Sequence, residues 1–81
     1  MNSQEIRTTV LTCLRSIAPE ADLSALPGTA DLRDELDIDS MDFLRFVIEL
    51  HDKLHVDIPE QDYRSIRTLD ACVAYLASRS G

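Results

Sequence analysis

The stretch from Ser40 to about Leu54 restricts the fold more than any other part of the chain, because its apolar side chains recur at helical spacing. Asp39 precedes it as a strong N-cap residue, and Asp42 stands where a shortened capping box would place an acid. The apolar arc of this predicted helix is unusually wide. We place Leu44, Val47 and Leu54 at its centre, Phe43, Phe46 and Leu50 on one side, and Met41 and Ile48 on the other.

Two arrangements of this wide arc are open. In one, all eight apolar side chains are buried in the core. In the other, Met41 and Ile48 form an exposed edge beside polar residues, and this edge is a docking surface for a partner protein. The docking residues would then be Met41, Asp42, Arg45, Ile48 and Asp52.

Two further helices and a short one are predicted by the same periodicity. The first begins at Asn2 or Ser3 and runs to about Ala18, where Pro19 ends it. A short helix around Glu60 to Arg64 follows Pro59, and Thr68 caps the last helix. The expected inward-facing residues are Ile6, Val10, Cys13, Leu14, Ile17, Ile58, Tyr63, Ile66, Leu69, Cys72, Val73 and Leu76.

Residues 19 to about 39 form a long first loop, in which Pro27-Gly28 marks a turn and residues 31–36 have the spacing of a short helical segment. Leucines 23, 26, 32 and 36 and Ile38 are expected to hold the loop on the core. With 81 residues, 44% of them apolar, and only two glycines, we predict an all-α fold. It would be one domain over residues 1–81, a small bundle of three longer helices, one short helix and the long loop.

The charge is strongly negative and unevenly placed. The net charge is −7, and the segment from Asp31 to Asp62 contains eleven acidic and three basic residues. Nucleic acid is therefore an unsuitable partner, because phosphate binding needs a basic surface. Basic protein surfaces are better suited. We also expect a cytoplasmic location, since no secretion signal and no apolar run of membrane-spanning length is present. The protein is expected to be a monomer.

The residues that could perform catalysis or bind a metal lie in unsuitable positions. His51 is three helical turns from Ser40, about 16 Å at 1.5 Å per residue, too far to accept its proton. Asp37-x-Asp39 begins like a calcium loop, but the later ligand positions are Met41 and Ile48. We therefore expect no catalytic residue and no dedicated metal site. Ser40, at a helix N-terminus, remains as a candidate attachment point for a covalently bound group. Asp-Ser alone, however, is an ordinary capped helix start.

The chain as a whole resembles acyl carrier proteins. Residues 36–42, Leu-Asp-Ile-Asp-Ser-Met-Asp, are similar to the family signature Leu-Gly-x-Asp-Ser-Leu-Asp. The length, the acidity, the long first loop, Ile58-Pro59 and the threonine before the last helix also agree with the family. The resemblance implies an acyl-carrier bundle in which a separate magnesium-dependent phosphopantetheinyl transferase attaches 4′-phosphopantetheine from coenzyme A to Ser40. Asp39, Met41 and Asp42 would be the flanking recognition residues.

The resemblance further implies that the arm carries acyl groups as thioesters to loading and processing enzymes of fatty acid, lipid or polyketide-type biosynthesis. Those partners would have basic docking surfaces. The family shelters acyl chains between helices, and the candidate lining residues are Phe46, Val47, Leu50, Tyr63 and Ile66.

Several departures from the family pattern indicate a specialised carrier rather than a housekeeping one. We assign the usual glycine, two residues before the serine, to the position of Ile38. The turn there must then suit a β-branched residue. Met41 replaces the usual leucine. Arg45 and His51 stand where housekeeping carriers usually have acids, which weakens the negative docking face.

Two alternatives stay open. The chain could be an unmodified acidic helical adaptor that binds basic proteins, or a carrier of aminoacyl groups. Asp39 favours the acyl carriers over peptidyl carriers, which more often have histidine before the serine.

Overall fold

The computed structural model describes residues 2–79, which contain four α-helices and two 3₁₀ helices. The α-helices are α1 (Ser3–Ile17), α2 (Leu32–Leu36), α3 (Ser40–Leu54) and α4 (Leu69–Arg79). The 3₁₀ helices are Leu23–Ala25 and Glu60–Ile66. No strand is present in this part of the chain. The predicted all-α bundle, with three longer helices, one short helix and a long first loop, is confirmed.

Capping residues determine where α1 and α4 begin. The Asn2 side chain accepts the Glu5 amide at 2.8 Å, and the Glu5 carboxylate accepts the Asn2 amide in return, which forms a capping box. The Thr68 hydroxyl accepts the Ala71 amide at 3.1 Å, as predicted for the last helix. These bonds satisfy amides that have no partner within their helix.

One hydrophobic core joins α1, α3 and α4 to the longer 3₁₀ helix. Helix α1 packs against both α3 and α4, and α4 packs against the 3₁₀ helix. The buried apolar residues are Ile6, Val10, Cys13, Leu14, Leu23, Leu32, Ile38, Phe43, Phe46, Val47, Leu50, Val56, Ile66, Leu69, Cys72, Val73 and Leu76.

The buried face of α3 is rotated away from the predicted centre. Phe46 and Leu50 are fully buried, and Phe43 and Val47 are 5% exposed. Leu44, predicted to lie at the centre of the apolar arc, is 41% exposed. The prediction was wrong because large aromatic side chains contribute more buried area than leucine, and so they determine which side of the wide arc packs.

The long first loop is fixed to the start of α4. The Leu32 amide donates to the Arg67 carbonyl at 2.7 Å, and the Asp70 amide donates to the Gly28 carbonyl at 3.0 Å. Asp31 caps α2 through its carboxylate and also binds Arg67 at 2.7 Å. Together with the buried Leu23, Leu32 and Ile38, these bonds give the loop a defined path to the start of α3.

The segment Glu60–Ile66 is tied to α4 from its outer side. The Tyr75 hydroxyl donates to Asp62 at 2.7 Å, and Arg79 donates to the same carboxylate at 3.1 Å. The predicted short helix Glu60 to Arg64 is thus present but is a 3₁₀ helix that continues to Ile66. None of the helices in residues 2–79 combines the length and the apolar character that crossing a membrane requires.

Candidate functional site

Ser40 is the first residue of α3, and its side chain is exposed. Asp39 precedes it in an extended conformation, and its carboxylate accepts the Asp42 amide at 2.9 Å. This cap fixes the first turn of the helix, so the backbone that bears Ser40 is held in place while the hydroxyl stays open to solvent.

The turn before Ser40 brings two helices close together. Asp37 ends α2 in the left-handed conformation, with φ of 53° and ψ of 47°. Ile38 keeps a negative φ, and its amide donates to the Arg33 carbonyl at 3.1 Å while its side chain is buried. The turn at Ile38 therefore suits a β-branched residue, as expected, but the residue in the glycine-like conformation is Asp37 and not Ile38. Asp37 adopts the positive φ, because a short polar side chain tolerates it better than a β-branched one.

Asp42 does not complete the predicted capping box. Within residues 2–79 its carboxylate makes no bond to the Asp39 amide. It faces Arg45 instead, with the Arg45 nitrogen 3.7 Å from a carboxylate oxygen. A partly exposed pair at this distance stabilises little, so both side chains remain available to a partner.

One face of α3 presents apolar side chains to solvent, and it includes the edge predicted from the sequence. Met41 is 67% exposed and Ile48 is 52% exposed, so not all eight apolar residues of the arc are core. Arg45 and Asp52 are exposed on the same face. Sequence reasoning missed Leu44, three residues from Met41 and four from Ile48. We call Met41, Leu44, Arg45, Ile48 and Asp52 the docking surface.

A groove of about 410 Å³ lies beside Ser40, between α3 and the longer 3₁₀ helix. Phe43 and Tyr63 contact each other edge to face in its wall, with ring centroids 6.1 Å apart. Of the five residues expected to line an acyl cleft, only Tyr63 borders it, since Phe46, Val47, Leu50 and Ile66 are buried in the core. We call it the serine groove, lined by Arg33, Ser40, Met41, Phe43, Leu44, Glu60, Tyr63, Arg64 and Arg67.

His51 is engaged at the far end of α3. Its Nδ1 lies 3.2 Å from the Val56 carbonyl oxygen and 3.3 Å from an Asp57 carboxylate oxygen. It therefore fastens the end of α3 to the following loop. In the described part of the chain, no group of three or more His, Cys, Asp or Glu side chains is arranged to hold a metal ion.

Both cysteines are buried in the core. Burial, together with the neighbouring Glu49 carboxylate, raises the pKa of the Cys13 thiol from 9.0 to about 11. Burial raises the pKa of Cys72 to about 12. At neutral pH both groups are uncharged thiols and poor nucleophiles. Neither would compete for an acyl group with a thiol that is exposed to solvent.

A reachable serine on a rigid helix N-terminus, beside an open groove and an exposed apolar helix face, defines a carrier domain that can hold a covalent prosthetic arm. Residues 8–76 match the family described as the phosphopantetheine attachment site. The chain belongs to this family of acyl carrier proteins, whose prosthetic group is 4′-phosphopantetheine. Ser40 fits this group in its exposure and in its position at the positive end of a helix dipole.

Similar proteins support the family over most of the chain. It is 36% identical over 62 residues to the acyl carrier protein of Renibacterium salmoninarum, spanning 76% of this chain and 72% of that one. It is 29% identical over 62 residues to the acyl carrier protein of Lactobacillus acidophilus, spanning 76% and 78%. It is 40% identical over 43 residues to the meromycolate extension acyl carrier protein of Mycolicibacterium aurum, spanning 53% and 44%.

Proposed function

We propose that Ser40 is the attachment residue for 4′-phosphopantetheine and that the protein carries acyl groups as thioesters on this arm. The observation that supports this most strongly is the exposed hydroxyl at the first residue of α3, within a chain that matches the attachment-site family. The bound arm supplies the thiol that forms the thioester. In this proposal the chain serves as the carrier, and separate enzymes perform the attachment and the later acyl chemistry.

The residues around Ser40 fit this task for physical reasons. The Asp39 cap keeps the attachment point at a constant position, so a transferase meets the same geometry in every copy of the protein. The tether keeps the acyl group at a high local concentration once the carrier has docked on an enzyme. Asp39, Met41 and Asp42 flank the hydroxyl and form the surface that a phosphopantetheinyl transferase must contact first.

The serine assignment is tested by loading the purified protein with coenzyme A, magnesium and a broad-specificity transferase, followed by intact-mass measurement. The wild type should gain one phosphopantetheine, and Ser40→Ala should gain none. Ser3→Ala is a matched control, because Ser3 is also an exposed first residue of a capped helix. Loading of Ser40→Ala, or failure of the wild type to load, would contradict the assignment.

We infer further that the docking surface serves dedicated partners rather than the housekeeping synthase. Arg45 supports this inference, because its side chain is 65% exposed on the docking surface and contributes a positive charge there. A partner that reads a negative surface would meet repulsion at this position. Arg45→Glu should therefore raise the rate at which a housekeeping synthase uses the loaded carrier. An unchanged rate with this variant would argue against a role of Arg45 in partner choice.

A further inference from the structure

The serine groove is positively charged in a strongly negative protein. Three arginines line it, namely Arg33, Arg64 and Arg67, and Glu60 is the one acid among its lining residues. The protein as a whole has a net charge of −7. The lining of the groove therefore has the opposite charge sign to the protein as a whole, which makes it a local attractor for anions.

Most of this positive charge has no partner of its own. Arg67 binds Asp31 at 2.7 Å, yet its Nε atom is buried without a hydrogen-bond partner. Within residues 2–79, neither Arg33 nor Arg64 forms an ion pair with a carboxylate. Guanidinium groups whose N–H donors lack acceptors are suited to bind an anion with several oxygen atoms.

The core behind the groove is closed by aromatic packing. Phe43 packs against Phe46 with ring centroids 5.8 Å apart, and against Tyr63 at 6.1 Å. Phe46 is fully buried and Phe43 is 5% exposed, so the side chains of the core already fill this space. A molecule that enters the groove therefore lies against its wall, within reach of the arginines on the same lining.

We propose that the serine groove is an anion-binding site for the loaded arm, in which Arg33, Arg64 and Arg67 hold a negatively charged oxygen group that the arm carries. This inference rests on the proposed attachment at Ser40. Two groups on the arm offer the required chemistry. One is the phosphodiester at the Ser40 oxygen, and the other is a carboxylate at the free end of an acyl group.

The tether makes such a site effective even when each contact is weak. Ser40 itself lines the groove, so an anion on the arm stays close to the arginines at high effective concentration. The neighbouring Met41, Phe43, Leu44 and Tyr63 offer apolar surface to the uncharged part of the arm. The groove thus favours an arm that lies along the protein and, if the anion is a carboxylate, selects acid-ended acyl groups over neutral ones.

The experiment compares the wild type with the double variant Arg33→Gln, Arg64→Gln, each in four forms. These are the unloaded protein, the protein with the free-thiol arm, and the protein with a neutral or a carboxylate-ended acyl group of equal carbon number. Intact mass verifies each loading. Arg67 is left unchanged because its bond to Asp31 holds the loop. Arg45→Gln is the matched control, since Arg45 lies outside the groove.

The first measurement is the change in the midpoint of thermal unfolding on loading. Each loaded form is compared with the unloaded form of the same variant. If the phosphodiester is the bound anion, the free-thiol arm should raise the wild-type midpoint by about 2–6 °C, the scale of one or two partly exposed ion pairs in a small domain. If the carboxylate is bound, this rise should appear only with the acid-ended acyl group. The rise should be at least halved in the double variant and unchanged in Arg45→Gln.

The second measurement is the NMR resonance of the arginine Nε–H groups. Loading should shift the resonance of Arg67, whose Nε lacks a partner in the unloaded protein. The proposal is overturned if all forms load, the double variant shows the same midpoint changes as the wild type, and the Arg67 resonance does not move. A wild type that accepts no arm overturns the attachment at Ser40 instead.

Discussion

Ser40 and Asp39 are neighbours with different tasks at the start of α3. Asp39 accepts the Asp42 amide and so determines where the helix begins, while Ser40 presents its hydroxyl to solvent. Asp37 and Ile38 also have different roles in the preceding turn, because Asp37 adopts the positive φ and Ile38 is buried in the core. If Ser40 is the attachment residue, as proposed, these three neighbours determine where its hydroxyl is presented.

Removal of the Asp39 cap should destabilise the protein. Asp39→Ala leaves the Asp42 amide without an acceptor and should lower the free energy of unfolding by about 0.5–2 kcal/mol. Asp39→Asn keeps a capping oxygen and should lie within a few tenths of a kcal/mol of the wild type. Urea denaturation measures both variants, and equal stability of the alanine and asparagine variants would show that the cap contributes little.

The two buried thiols should make the protein sensitive to alkaline pH. Their pKa values are about 11 and about 12 in the folded protein, whereas unfolded cysteine has its ordinary value of 9.0. Above pH 9 the unfolded chain releases protons that the folded chain retains, so the free energy of unfolding falls as the pH rises. Between about pH 8 and about pH 10 the loss from the two thiols together should be roughly 3 kcal/mol.

The contribution of the thiols is isolated by comparing the wild type with Cys13→Ala, Cys72→Ala over the same pH range. The variant is less stable at every pH because it creates cavities, but its decline with pH should be shallower. Parallel curves for the two proteins would mean that other groups cause the alkaline loss.

Helix α3 shows which elements the sequence could predict. Its start at Ser40 and its end at Leu54 follow from Asp39 and from the extent of the periodic pattern, and the structure agrees. The orientation of its buried face did not follow, because a wide apolar arc permits several rotations about the helix axis. The two phenylalanines settle that rotation, and they leave Leu44 on the surface.

The serine groove could not be predicted from the sequence, because its lining residues come from separate segments of the chain. Arg33 is on α2, while Arg64 and Arg67 are in and just after the longer 3₁₀ helix, far away in the sequence. The Leu32 amide bound to the Arg67 carbonyl, the Asp31–Arg67 ion pair and the burial of Leu32 and Ile66 in one core bring these segments together. Hydrogen bonds between loops leave no periodic signal, so no single-sequence pattern reports them.

The exposed face of α3 should act in partner recognition without supporting the fold. Ile48→Asp should lower kcat/KM for the transferase or a partner enzyme by about tenfold, since it places a charge in an apolar contact. The free energy of unfolding should change by less than about 0.5 kcal/mol, because Ile48 is on the surface. Ala74→Asp, an exposed position on α4, is the control that should leave kcat/KM unchanged. Equal effects of the two variants would contradict a specific docking surface.

The molecule as a whole combines one small core with a concentrated negative charge. The segment from Asp31 to Asp62 contains eleven acids and includes α3 and the loop before it. Such a concentration of negative charge would attract a basic surface over a distance, but it also makes the folded chain repel itself. The hydrogen bonds that hold the first loop on α4 oppose that repulsion at the end of the bundle that bears Ser40.

Screening of this repulsion should stabilise the folded protein. Raising sodium chloride from about 20 mM to about 500 mM shortens the Debye length from tens of ångströms to a few, so the thermal midpoint should rise by a few degrees. Calorimetry at a fixed pH near 7 measures the change. A midpoint that falls with added salt would indicate that attractive surface ion pairs, such as Arg7 with Asp70, outweigh the net repulsion.

The most direct test of the central claim is to locate the modification within the chain. Trypsin should cut after Arg33 and Arg45, and the peptide 34–45 contains Ser40 as its single hydroxyl-bearing residue. After incubation with a transferase and coenzyme A, this peptide should carry one phosphopantetheine and every other peptide should be unmodified. An unmodified peptide 34–45 from fully incubated protein, or a phosphopantetheine on any other peptide, would contradict the account.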